Sequence, residues 1–262
     1  MKYTLSHVYK TRFDKNRSKD RKLTELFIPM NILGKAVSPF PTYVFINLGI
    51  HPDVITSLSF LFIFIGVYFF VVGNALTGSM FWVLFGLLDS IDGDMARCTK
   101  PSRYGAIFDS FGADFFYGAT PFAVGYFLSN SSVSIGFIPS EFMVLIGAFA
   151  GITFIWYRII TEKVLGFSRG EGRGENYSKV SKATVKYGFV KKVLLLYRHT
   201  VLRGNFFSEP GLIFWFFVLV FFNAFKVLAL YLVVILLYNI GYLLINFIGT
   251  YVYFRSVEKR VE

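Results

Sequence analysis

The sequence predicts an all-α integral membrane protein, six transmembrane helices preceded by an N-terminal membrane-surface arm. Three observations predict it. Apolar residues make up 55% of the 262 and charged residues only 16%, well under the ~25% charged residues of a soluble domain. No charge occurs from Val54 to Leu88, from Phe115 to Ser140 or from Gly211 to Phe225, and a bilayer takes roughly 20 residues of helix to cross. Once the spans are drawn, 26 of the 27 Lys and Arg fall on one side, which sets orientation by the positive-inside rule. This composition excludes a soluble or disordered chain. The apolar runs are continuous rather than alternating, which argues against a β-barrel.

Residues 1–22 hold eight Lys or Arg and no apolar run of the kind a signal peptide needs. Residues 23–49 mix Leu, Phe, Ile and Val with Pro and Gly, the composition of an arm lying on the membrane surface. Residues 1–49 are therefore expected to form an N-terminal extension, and 50–262 the membrane domain. The spans are expected at 54–73, 77–96, 104–128, 141–160, 210–225 and 227–254. Gly73-Asn74, the 97–103 loop and Ser129 to Ser132 separate the first four. A tight turn around Asn223 to Lys226 separates the last two. A basic cytoplasmic loop, 162–209, joins the fourth span to the fifth. Its Ser168 to Ser181 part is Gly-rich and charged, expected to be flexible. Its 183–203 part sets Val185, Phe189, Val193 and Leu196 at helical spacing beside four basic residues, expected to form a second interfacial helix. Gly170 to Gly174 lacks the Lys-Ser/Thr pair and the preceding strand of a phosphate loop.

The charge distribution places both termini in the cytoplasm. Topology and anionic headgroups account for the net charge of +11, so no nucleic-acid partner is required. The single cysteine, Cys98, excludes an intrachain disulfide framework and a Cys-based zinc site.

The informative residues crowd the cytoplasmic ends of the second and third spans. Asp89 and Asp92 are three apart on one helix and share a face. Asp109 and Asp114 follow on the next. If the two spans form a hairpin, these carboxylates meet at similar depth. Ionisable groups there are costly and usually functional, and several together call for protons or cations as compensation. Carboxylate oxygens suit hard divalent ions. An EF-hand register fails, because position one would be Leu88. Gly93, Ala96 and Gly105 are small enough to let a ligand approach the backbone, although close helix packing would use small residues equally well. Arg97 has a planar fork suited to phosphate oxygens, or it anchors the helix at the membrane face.

These residues resemble the signature of the CDP-alcohol phosphotransferase (CDP-alcohol phosphatidyltransferase) family, D-x2-D-G-x2-A-R followed after seven or eight residues by G-x3-D-x3-D. Asp89, Asp92, Gly93, Ala96, Arg97, Gly105 and Asp109 stand in that pattern. Pro52 and Thr56 extend the resemblance, with Asp53 where relatives often have Asn. The last Asp of the pattern would fall at Ala113, and Asp114 comes one residue late. On a regular helix that turns it by about 100°. A π-bulge between Asp109 and Asp114 would absorb the difference, since such bulges occur at functional sites.

The resemblance implies a transfer reaction. An acceptor hydroxyl attacks the phosphorus of a CDP-linked alcohol, a phosphodiester forms, and CMP leaves. It implies Asp89, Asp92 and Asp109 as metal ligands, with Asp114 as base and further ligand, and two Mg²⁺ or Mn²⁺ ions as the cofactor. Gly93, Ala96, Arg97, Gly105 and Thr56, with Asp89 and Asp92, would bind the cytidine diphosphate. Arg103 and Arg158 could hold an acceptor phosphate, or could snorkel as anchors. The expected partners are the donor, a hydroxyl acceptor and the lipid bilayer, and the chain could form a homodimer. The pathway is phospholipid or related phosphodiester synthesis; a polar CDP-alcohol transferase for surface polysaccharide is the alternative. From a different class, an ion-coupled transporter would also explain intramembrane carboxylates. It would place them near the midplane, whereas these crowd toward one end.

Overall fold

The structure is a computed structural model and describes residues 3–12, 29–99, 102–170 and 206–258. The chain is an all-α membrane protein. Among the described residues, four helices are long and apolar enough to cross a bilayer, and a shorter apolar helix accompanies them.

Helix α1 (Leu5–Arg12) is followed by α2 (Pro29–Val37) and α3 (Pro39–Asn47). The surface arm thus contains two short helices, each opened by a proline, which suits the first helical turn because its missing N–H would have no partner there. Residues 23–28 lie outside the described ones. Helix α1 was not expected from the sequence. Its Val8 is fully buried, in a cluster with Ile46, Ile55, Ile91, Met95 and Cys98.

Helices α4 (Pro52–Val71) and α5 (Ala75–Cys98) form an antiparallel hairpin. The turn between them needs a positive φ, and Gly73 supplies it at +88° without the steric cost a side chain would carry. Asn74 then caps α5 by accepting the Thr77 N–H at 3.2 Å. Gly66 and Gly78 let the helices touch across the seam, where Phe70 stacks on Trp82 with ring centroids 4.4 Å apart.

Helix α6 (Arg103–Asn130) runs beside α4, and α7 (Phe142–Gly170) returns along α6. At that second crossing the backbones themselves meet. A Cβ on Gly147 would lie 2.3 Å from the Pro121 carbonyl oxygen, and one on Gly151 would lie 2.2 Å from that of Gly118. Small residues that permit such approach are a common packing device in membranes. Helix α7 continues ten residues past its expected end at 160. Thr161 to Leu165 are charged and polar in part but contain no breaker, so the helix can leave the apolar layer intact. The flexible segment expected from Ser168 therefore begins as helix. Its remainder, and the interfacial helix expected at 183–203, lie outside the described residues.

Helix α8 (Glu209–Phe221) spans 13 residues, and α9 (Phe225–Glu258) completes the bundle. The turn between them is Phe222 to Ala224, slightly earlier than expected. Asn223 takes a left-handed φ of 52° there, a conformation Asn tolerates better than most residues. Lys226 thus belongs to the first turn of α9. Ahead of α8, Phe206 stacks on Trp215 with centroids 5.2 Å apart, and the Tyr231 hydroxyl donates to the Phe206 carbonyl. The lead-in segment is therefore held alongside its own helix.

The main apolar core joins α4 to α9 around Trp82, Phe85, Phe116 and Phe216. Its offset and edge-on ring pairs each contribute about 0.5–1.5 kcal/mol beyond burial alone.

Candidate active site

The hairpin of α4 and α5 sets the first part of the site. Opposing residues bring Thr56 level with Asp92, close enough for its hydroxyl to act on the Asp92 carboxylate. The same hydroxyl lies 3.2 Å from the Pro52 carbonyl one turn back. Asp92 is 8% exposed. Asp89, one turn earlier, faces the same way toward α6 and lies within electrostatic reach of Asp109. Asp92 is also within electrostatic reach of Asp109 and of Arg97. The three acids thus lie within electrostatic reach of one another.

Asp94 points elsewhere. Two residues from Asp92 on a helix is about 200° round, and Asp94 is 1% exposed on the opposite face. It accepts from the Ser38 hydroxyl between α2 and α3 and from the Arg97 guanidinium. It thus ties the N-terminal arm to α5 and fixes Arg97. A Cβ on Gly93 would lie 3.5 Å from both terminal nitrogens of Arg97, so the guanidinium lies over the bare backbone of Gly93. Ala96 is half-buried on the same helix end.

Gly105 has a structural reason to be glycine. A Cβ there would sit 2.6 Å from the Asp53 Oδ1. The Gly105 N–H donates to the Ser102 Oγ at 2.8 Å, and the Ser102 hydroxyl donates to Asp53 at 2.6 Å. The unusual Asp53 thereby couples the starts of α4 and α6. Arg103 opens α6, and its side chain is outside the described ones.

Asp114 is placed differently from the expectation. Helix α6 is α-helical throughout, with no π-turn between Asp109 and Asp114. Five residues along a regular helix turn the second carboxylate about 140° from the first. Asp114 accordingly meets α7, where the Arg158 Nε lies 2.7 Å from its Oδ1. Arg158 also donates to the Ser110 Oγ at 3.1 Å. The bulge is not needed because Gly112 and Ala113 pack without distortion, and the arginine compensates the displaced acid.

One acid was missed in the sequence. Glu209, the first residue of α8, lies within electrostatic reach of Asp89, Asp92, Asp109 and Arg158. The pairing of α8 with α5 explains how. A Cβ on Gly86 would meet Ile213 Cδ1 at 3.0 Å. At their other ends Ala75 and Phe221 line one shared cavity, so the two helices run antiparallel. One turn back from Ile213 is Glu209, and one turn on from Gly86 is Ser90, so Glu209 falls level with Asp89 to Asp92. The available signal was a carboxylate abutting an apolar run too short to span alone.

A sequence model of the CDP-alcohol phosphatidyltransferase family matches residues 49–208, more than half of the chain. The chain belongs to this family. Comparison with curated proteins and with solved structures returns no match. The matched region contains every family-pattern residue named here and stops one residue short of Glu209. Members of the CDP-alcohol phosphatidyltransferase family act on a CDP-alcohol and an alcohol acceptor at the membrane, and are generally divalent-metal dependent.

Among the described residues, no three His, Cys, Asp or Glu side chains are already drawn around one point as a metal cage. The donor set still fits a hard divalent ion. Its members are carboxylate oxygens, and Asp89, Asp92 and Asp109 lie within electrostatic reach of one another.

Proposed function

We propose that this member of the family is a six-span membrane transferase with its site and both termini facing the cytoplasm. It moves a phospho-alcohol group, phosphatidyl or related, from a CDP-linked donor to an acceptor hydroxyl, in phospholipid or related phosphodiester synthesis. The bond from phosphorus to the CMP oxygen breaks, the bond to the acceptor oxygen forms, and CMP leaves. The observation that carries this is the meeting of Asp89, Asp92 and Asp109 between α5 and α6, with Thr56 reaching in from α4.

Asp89, Asp92 and Asp109 would hold divalent ions, which when bound supply counter-charge to the donor pyrophosphate. Thr56 orients the Asp92 carboxylate. Gly93 and Ala96 leave the end of α5 without bulk, so the cytidine diphosphate can lie against the backbone beneath Arg97. Asp94 fixes the fork of Arg97 for phosphate oxygens. Gly105 and Ser102 hold the start of α6 against Asp53 and so set the spacing between Asp109 and the hairpin. On the acceptor side, Arg158 is engaged by Asp114 and Ser110. The motif would make Asp114 the base; its geometry makes it the counter-ion of Arg158.

The test is a donor screen. Membranes containing the chain are incubated with CDP-diacylglycerol, CDP-glycerol and similar donors plus candidate alcohols, and CMP release is followed. Release with one donor–acceptor pair, lost in EDTA and restored by Mg²⁺ or Mn²⁺, is expected. Release without any acceptor would indicate hydrolysis. No CMP from any donor would overturn the transfer reaction.

A further inference from the structure

The family pattern places its last carboxylate at residue 113, where this chain has alanine. Position 113 shares a face of α6 with Asp109 and Tyr117, each four residues away. The Tyr117 hydroxyl accepts a hydrogen bond from the Glu209 N–H, and the Tyr117 ring is itself fixed by stacking on Phe154 of α7, with centroids 3.7 Å apart. The start of α8 is thereby pinned over the face that Ala113 leaves without an acid. From there Glu209 is within electrostatic reach of Asp89, Asp92 and Asp109. Asp114 is occupied on the α7 side by Arg158 at 2.7 Å.

We propose that Glu209, delivered by α8, supplies the fourth carboxylate of the site in place of the one missing at Ala113, and that it takes the proton the acceptor hydroxyl gives up as its oxygen bonds to phosphorus and CMP leaves. Thr56, Gly93 and Arg97 mark the donor side, at the α4–α5 hairpin. Glu209 enters from the other side, beside Arg158, so it faces the incoming acceptor rather than the nucleotide. Asp114 is then a positioning residue that orients Arg158. This assignment rests on the transfer reaction proposed for the chain.

The experiment uses the full chain in detergent with Mg²⁺ and the donor–acceptor pair active in the wild type. It reads steady-state CMP release and the thermal shift produced by CDP with Mg²⁺. Glu209→Gln should lower kcat by about 10²-fold or more, the size expected when an acid–base group is lost. The thermal shift with CDP should remain within experimental scatter of the wild type. Glu209→Asp should retain part of the rate. Adding Ala113→Asp to Glu209→Gln should restore at least about tenfold of the loss, because the carboxylate returns at the family's own position. A purely structural role for Glu209 would give no such rescue. The proposal is overturned if Glu209→Gln turns over within threefold of wild type, if its CDP shift disappears, or if Asp114→Asn shows the large loss instead. Wild-type protein that releases no CMP from any donor overturns the transfer reaction itself, and this assignment with it.

Discussion

Adding one methyl group at Gly151 should pry α6 and α7 apart. The Cβ of Gly151→Ala would lie 2.2 Å from the Gly118 carbonyl oxygen, which is backbone and cannot rotate away. Ordinary contact begins near 3.4 Å, so the helices must separate by about 1.2 Å at this point. Arg158 is two turns along the same helix. A comparable opening there stretches its 2.7 Å contact with Asp114 and its 3.1 Å bond to Ser110 to about 3.9 and 4.3 Å, outside hydrogen-bond range. Overpacking of this kind costs about 1–3 kcal/mol, while Gly→Ala in a helix returns about 0.5–1 kcal/mol. The net loss should lie between about zero and 2.5 kcal/mol, a fall in Tm of up to a few degrees for a protein of this size. Gly241→Ala in α9 is the control. A Cβ there meets nothing within 4 Å, so the same substitution should be neutral or stabilising by up to about 1 kcal/mol. Thermal denaturation in detergent compares the two, with CMP release measured alongside. Equal Tm changes for Gly151→Ala and Gly241→Ala would refute the backbone contact between α6 and α7.

Asp89→Asn and Asp109→Asn should each abolish turnover while leaving a folded protein, judged by gel filtration and CMP release; wild-type rates in either variant would remove that residue from the site. Thr56→Val should weaken activity by about tenfold or less, because it removes one hydroxyl dipole from beside Asp92, worth about 1 kcal/mol, and a steady-state assay checks it. Asp94→Ala should destabilise by about 1–3 kcal/mol, since it removes a buried acceptor shared by the Ser38 hydroxyl and the Arg97 guanidinium, as thermal denaturation would show.

Helix positions were legible wherever composition alone decides them. The charge-free stretch from Val54 to Leu88, interrupted by Gly73-Asn74, marked α4 and α5 within a few residues. The end of α7 was not legible, because leaving an apolar layer does not require a helix to stop. Helix α1 was hidden by its Lys and Arg: one apolar residue, Val8, makes its buried contact, and one residue sets no period. At the site, Asp89 and Asp92 were legible as one helix face; Asp109 reaches them from α6, which packs chiefly along α4 and does not form the expected hairpin with α5. Asp114 was misplaced because a bulge is a tertiary outcome, and Arg158 offered a partner that no local pattern announced. Glu209 stands about a hundred residues from the other acids in the chain. Only the pairing of α8 with α5, set by Gly86 and Ile213, brings it near.

The brevity of α8 bears on how the chain enters a bilayer during synthesis. Thirteen helical residues rise about 20 Å, against the roughly 30 Å of a hydrocarbon core. Such a segment, headed by a carboxylate, is a poor candidate for insertion alone. Helix α9 follows after a three-residue turn and includes a 20-residue stretch apolar enough to cross unaided. The two should therefore partition as one hairpin, with α9 carrying its short neighbour in. A cut or an insertion between Phe222 and Ala224 would then strand α8 outside the membrane before any question of packing arose.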